Sequence, residues 1–113
     1  MIGKFDQELK RDKADGVVVV GGPVRWDAPD EGKDVRIDAR LEQNGNHDHC
    51  HMTVRAPVGA TFPVFDRWEM PLQTNNIHAG PVDAHAFATS GGLILDQWDQ
   101  PPELPTPVTV VVI

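Results

Sequence analysis

The stretch DVRIDARLE, residues 34 to 42, decides the fold class, because polar and apolar side chains alternate through all nine positions. Successive side chains of a β-strand point to opposite faces of the sheet, so this alternation predicts a strand with one buried and one solvated face. We expect the apolar members to face a core: Val35, Ile37, Ala39 and Leu41.

A hairpin turn is predicted directly after this strand. Asn44 and Gly45 both tolerate the positive φ of a two-residue type I′ turn, and a second alternating run follows them. The turn fixes the register and places Ile37 opposite Met52. A shift by one residue would put Ile37 opposite Thr53 and lose the match of apolar side chains.

The second strand of this hairpin carries three of the five histidines, in the stretch NHDHCHM of residues 46 to 52. The predicted register places these histidines on the outward face, each opposite a charged residue: His47 opposite Glu42, His49 opposite Arg40 and His51 opposite Asp38. Cys50 has the opposite parity and should face inward as a small, unreactive apolar side chain.

The histidine stretch leaves three interpretations open: a solvated strand face, a zinc or copper site, and a contact surface that responds to pH. Histidines at alternate positions can reach one ion, with a third ligand from His47, His78 or His85 and with Asp38 as a ligand or its hydrogen-bond partner. The fixed positive charge of Arg40 opposes the metal interpretation.

The rest of the chain predicts an antiparallel β-sandwich of about seven strands in one domain, residues 16 to 113. Proline is tolerated at the first position of a strand, and the pair Pro-Val recurs at five places near turns. Residues 1 to 15 are expected to form a short helix, since Phe5 and Leu9 are four apart, or a disordered arm. The predicted strands lie near 16–26, 34–43, 47–56, 61–70, 81–89, 92–98 and 107–113.

The C-terminal run VTVVVI is apolar on both faces and must be covered or paired. We expect it to pair with Val17–Val20, in a layout similar to an immunoglobulin-like sandwich, although the spacing Cys…Trp…Cys of that fold is absent. Strand addition at this run would make it an interface with a protein partner or with further copies of the chain. The predicted interface residues are Val108, Val110, Val111, Val112 and Ile113.

Charge and motifs exclude several classes of function. The formal net charge of −7 repels phosphate backbones and anionic membrane surfaces, so neither nucleic acid nor a membrane is an expected partner. Neither a signal peptide nor a membrane-spanning segment is evident, and we expect a cytoplasmic or particle-associated protein. GxGxxG, GxxxxGK[ST] and GxSxG motifs are absent.

These observations favour a non-enzymatic structural or protein-interaction module without a cofactor, by analogy a phage-virion-like component that assembles with itself. A zinc or copper protein that uses the outward histidines is the alternative. A carbohydrate-binding module is a further alternative, which would need an exposed tryptophan as a stacking platform. A sandwich of this size usually needs its tryptophans in the core, and this holds for Trp26, Trp68 and Trp98 alike. Trp98, flanked by Asp and Gln, is the most plausible surface aromatic for the carbohydrate alternative.

Overall fold

The computed structural model describes residues 1–100 and 107–113 as an all-β fold. No α-helix occurs in this part of the chain, and therefore none that is long and apolar enough to cross a membrane. A single 3₁₀ turn lies at Ala28–Asp30. The ten strands are β1 (Ile2–Gly3), β2 (Glu8–Arg11), β3 (Val17–Trp26), β4 (Asp34–Gln43), β5 (Asn46–Arg55), β6 (Val64–Gln73), β7 (Gly80–Pro81), β8 (Asp83–Ser90), β9 (Leu93–Gln100) and β10 (Thr109–Val112).

The strands form two sheets. In the six-stranded sheet, β6 pairs along the whole of β3, and the order continues from β3 through β2 to β10 and β7, with β1 beside the end of β3. The four-stranded sheet has the order β5-β4-β8-β9. The strand count exceeds the predicted seven because β1 and β2 precede them and because the strand expected at 81–89 is divided into β7 and β8.

The β4–β5 hairpin has the predicted register at every position. Asn44 and Gly45 have φ of 51° and 82°, as a turn with positive φ at both residues requires. Ile37 lies opposite Met52, and the apolar residues of β4 are buried. The predicted register is therefore confirmed. It is specific because a shift by one residue would turn the buried face of the strand to solvent.

The prediction of a helix or disordered arm at the N-terminus is wrong. Residues 2–3 and 8–11 are strands, and Leu9 is buried in the core. The spacing of four between Phe5 and Leu9 suggested a helix, but an even spacing also places two residues on one face of a strand. Phe5 packs against Trp68 and Trp98, which ties this segment to the interior.

The expected pairing of the C-terminal strand with Val17–Val20 is also wrong. β10 runs parallel to β2 on one side and antiparallel to β7 on the other. Both edges of β3 are occupied by other strands, β6 along one edge and β1 and β2 along the other. β10 therefore extends the sheet beyond β2 instead of joining β3.

One hydrophobic core lies between the two sheets and contains all three tryptophans. Trp26, Trp68 and Trp98 are 3%, 1% and 8% exposed, as expected for core residues of a small sandwich, so Trp98 is not the surface aromatic that the carbohydrate alternative would use. The rings of Trp68 and Trp98 meet edge to face, with 5.5 Å between their centroids. The stacking platform that a carbohydrate-binding module would need is therefore not supplied by any tryptophan.

Candidate functional site

The outward face of the four-stranded sheet joins two polar groups that lie far apart in the sequence. β8 pairs with β4, so Glu42 lies beside Asp83 and Arg40 lies beside His85. β9 continues the row by placing Asp99 beside His85. Because these side chains lie on neighbouring strands with outward parity, they form one surface of carboxylates and imidazoles.

His85 is held between two carboxylates at the centre of this surface. Its Nδ1 lies 2.6 Å from Oδ1 of Asp99, and its Nε2 lies 2.9 Å from Oδ1 of Asp83. Burial lowers the pKa of His85, but the hydrogen bonds to Asp99 and Asp83 and the charges of both carboxylates outweigh it and raise this pKa above its ordinary value. The side chain of His85 is 41% exposed, so its imidazole is accessible to solvent.

Glu42, Asp83 and His85 bring three metal-type donor atoms together. Their ligand atoms lie within 4.8 Å of one another, and each residue is half-buried. Glu42 also forms an ion pair with the guanidinium of Arg40, its neighbour two positions away on β4. An open cleft of about 600 Å³, lined in part by Glu42 and Asp83, adjoins the group.

One oxygen of Asp83 is enclosed beside His85. Oδ1 of Asp83 is inaccessible to solvent, and Nε2 of His85 lies 2.9 Å from it. A buried carboxylate oxygen needs a compensating partner, since its desolvation is otherwise costly. A cation, either the protonated imidazole or a metal ion, would supply that compensation.

The hairpin histidines lie on the open side of the same face. His47, His49 and His51 are exposed on the edge strand β5 and lie opposite Glu42, Arg40 and Asp38, as predicted. Across residues 1–100 and 107–113, none of the three belongs to a group of three close metal-type donor atoms. Their proposed role as ligands stays a prediction.

Two of the three additional ligands suggested for that site, His78 and Asp38, contact arginine side chains. Nδ1 of His78 lies 3.0 Å from the guanidinium of Arg11, so a positive charge is beside this imidazole. Asp38 accepts hydrogen bonds from Arg36, with Nε and Oδ2 at 3.1 Å. Of the further candidate ligands, the structure brings only His85 into the donor group.

The predicted interface at the C-terminal strand is divided by the fold. Val108 and Val110 are buried in the core, and Val111 is half-buried. Val112 and Ile113 are 48% and 61% exposed. β10 pairs with β2 along its whole length but with β7 only at Thr109 and Val110, so the exposed part of the predicted interface is at Val112 and Ile113.

A second surface lies at the end of the molecule where β3 and β5 end and where β4, β6 and β9 begin. Of the nine large hydrophobic side chains that are exposed in residues 1–100 and 107–113, five lie there, and Phe65 and Leu93 are 77% and 71% exposed. Clusters of exposed apolar side chains mark contact sites more often than isolated ones do. We call this surface the apolar end; its members are Ile2, Val58, Phe65, Leu93 and Ile94.

Sequence reasoning missed both surfaces for the same reason. Asp83 and His85 alternate in the stretch VDAHAFA and so share one face of a strand, but their position beside Glu42 depends on the pairing of β8 with β4, which no turn specifies. Leu93 belongs to the run LIL after Gly91-Gly92, which indicated only a strand. Leu93 is exposed because it lies at the tip of the β8–β9 hairpin, and this position depends on where the turn between the two strands lies.

Comparisons of the chain with protein-family models, with curated proteins and with solved structures found no match.

Proposed function

We propose that this chain is a non-enzymatic structural module that assembles with a second copy of itself through the apolar end. The observation that carries the proposal is that five exposed large apolar side chains, contributed by both sheets and their loops, lie at the same end of the strands. A contact between two copies related by a twofold axis uses the same patch on both, and an apolar patch is complementary to itself. Assembly of this kind is also what a particle-associated component would require.

The charges around the apolar end support an approach of two copies. The net charge of −7 opposes self-association of the molecule as a whole. At the apolar end, however, acidic groups face basic ones: Arg25 forms an ion pair with Asp27 at 3.0 Å, and Asp34 lies opposite Arg55. This local pairing reduces the repulsion that two copies would otherwise meet there.

The strand arrangement supports an immunoglobulin-like sandwich as the scaffold of this module. The hairpins β4–β5 and β8–β9 lie together in one sheet, whereas β3 and β6 pair in the other. Chain segments that cross between the sheets join β3 to β4 and β5 to β6. Connections of this kind are typical of Greek-key sandwiches, in which loops gather at the two ends and form contact surfaces.

Sedimentation velocity over a wide range of protein concentrations tests the assembly. We expect a reversible dimer whose dissociation constant rises about 100-fold or more in the double variant Leu93→Glu, Ile94→Glu, because each buried Leu or Ile contributes about 1.5 to 3 kcal/mol. Both side chains are exposed, so the variant should fold. A wild-type protein that is monomeric at every concentration overturns the proposal.

The double variant Val112→Glu, Ile113→Glu is the matched control. It places the same charges on the other exposed apolar pair, at the C-terminal strand. We expect its dissociation constant to equal that of the wild type. Loss of the dimer in this variant, with retention in the Leu93 and Ile94 variant, would move the interface to the C-terminal strand and contradict the apolar end.

A further inference from the structure

We propose that Glu42, Asp83 and His85 form a binding site for one divalent transition-metal ion, with Zn²⁺ as its representative. The site lies on the outward face of the four-stranded sheet and is distinct from the apolar end. It also differs from a site built on the hairpin histidines, because its imidazole comes from β8 and its carboxylates from β4 and β8. The proposal is independent of the assembly described above.

Asp99 prepares His85 for this role. Metal-binding imidazoles usually donate their second ring N–H to a carboxylate, which fixes the tautomer and the orientation of the ring. The 2.6 Å hydrogen bond between Nδ1 of His85 and Asp99 supplies this arrangement. Nε2 of His85 is then directed toward Asp83, where a metal ion would replace its proton.

Asp83 supplies an oxygen ligand next to the imidazole. Its Oδ1 is inaccessible to solvent and lies 2.9 Å from Nε2 of His85. A metal ion between these two atoms would take the place of the proton of a charged imidazole. Glu42 completes a set of one nitrogen and two oxygen ligands, and the adjoining cleft leaves space for further ligands such as water.

The donor set selects the class of metal. Imidazole nitrogen together with carboxylate suits zinc and its first-row neighbours, whereas calcium and magnesium require oxygen ligands throughout. Two carboxylates at the site, with a third behind the imidazole, give the negative charge that favours a divalent cation. The ion would compete with Arg40 for Glu42, because these two side chains form an ion pair without it.

The ion pair of Arg40 with Glu42 therefore predicts the sign of a change in metal affinity, which can be tested. Removal of its guanidinium in Arg40→Gln frees Glu42 and removes a positive charge beside the metal. We expect the affinity for Zn²⁺ to rise in this variant. An affinity that stays unchanged or falls contradicts the assignment of Glu42 as a ligand.

Isothermal titration of the full chain with Zn²⁺ and with Ca²⁺, supported by native mass spectrometry, tests the site. We expect one Zn²⁺ per chain in the wild type, no stoichiometric binding in His85→Ala or Asp83→Asn, and weakening by about 10-fold to 100-fold in Asp99→Asn. Ca²⁺ should bind much more weakly. Circular dichroism and urea unfolding establish that each variant is folded.

The double variant His49→Ala, His51→Ala is the matched control, since it removes two exposed imidazoles from the same face. It should bind Zn²⁺ like the wild type. Loss of binding in this variant with retention in His85→Ala would assign the ion to the hairpin and overturn the proposal. A wild type without stoichiometric Zn²⁺, or one that binds Ca²⁺ equally well, overturns it too.

Discussion

Cys50 shows how the position of one side chain in a strand sets its chemistry. It lies opposite Ala39 and packs partly against the core, and burial together with the nearby carboxylate of Asp38 raises the pKa of its thiol to about 11. Only the thiolate reacts with disulfide reagents. We therefore expect the native protein at pH 8 to react with a chromogenic disulfide about 100-fold more slowly than the same protein in denaturant. Equal rates in the two states would show an accessible thiolate.

Individual residues of the fold were predictable where a local signal fixed their parity. The inward position of Cys50 and the outward position of the hairpin histidines followed from the turn at residues 44–45. The placement of His85 between Asp83 and Asp99 did not follow, because Asp99 lies on the next strand. The pairing of β8 with β9 also has an irregularity, between Ala88 and Thr89 of β8. Parity within a strand is local information, whereas partners across strands depend on the fold.

The β4–β5 hairpin carries a prediction at the scale of an element. A Cβ at Gly45 would meet no atom within 4 Å, so Gly45→Ala changes only the backbone energy of a residue at φ 82°. A non-glycine residue in the left-handed region costs about 1 to 2 kcal/mol, and we expect a loss of unfolding free energy of that size in urea. Asn46→Ala, one position further along and exposed, is the control and should change stability by less. A neutral Gly45→Ala would mean that the turn does not require positive φ.

Strands were predictable where alternation or turn residues marked them, and less so where the spacing was ambiguous. β4 was specified by nine alternating positions. The N-terminal segment was not, because the pair Phe5 and Leu9 fits both a helix and a strand, and the charged residues between them favour neither. Packing against Trp68 and Trp98 decides between the two, and the sequence does not show which aromatic residues those strands will meet.

The order of strands in the whole molecule was the least predictable level. Two runs apolar on both faces, Val17–Val20 and residues 108–113, looked like partners, yet β2 lies between their strands. An apolar run requires cover on both sides but does not name the strand that supplies it. β2, with only Leu9 buried among its four residues, therefore became the link between β3 and β10 without any sequence signal.

This link gives a prediction about the stability of the whole molecule. Leu9 is 1% exposed in β2, the strand that joins β3 to β10, so Leu9→Ala removes buried methyl groups where an N-terminal strand meets the C-terminal one. We expect it to lower the free energy of unfolding in urea by about 2 to 5 kcal/mol. Lys10→Ala, exposed in the same strand, should have little effect. If residues 1–15 were a disordered arm instead, both variants would be as stable as the wild type. The midpoint of the urea transition separates the two cases, because a loss of this size is a large part of the total stability of a domain of 113 residues.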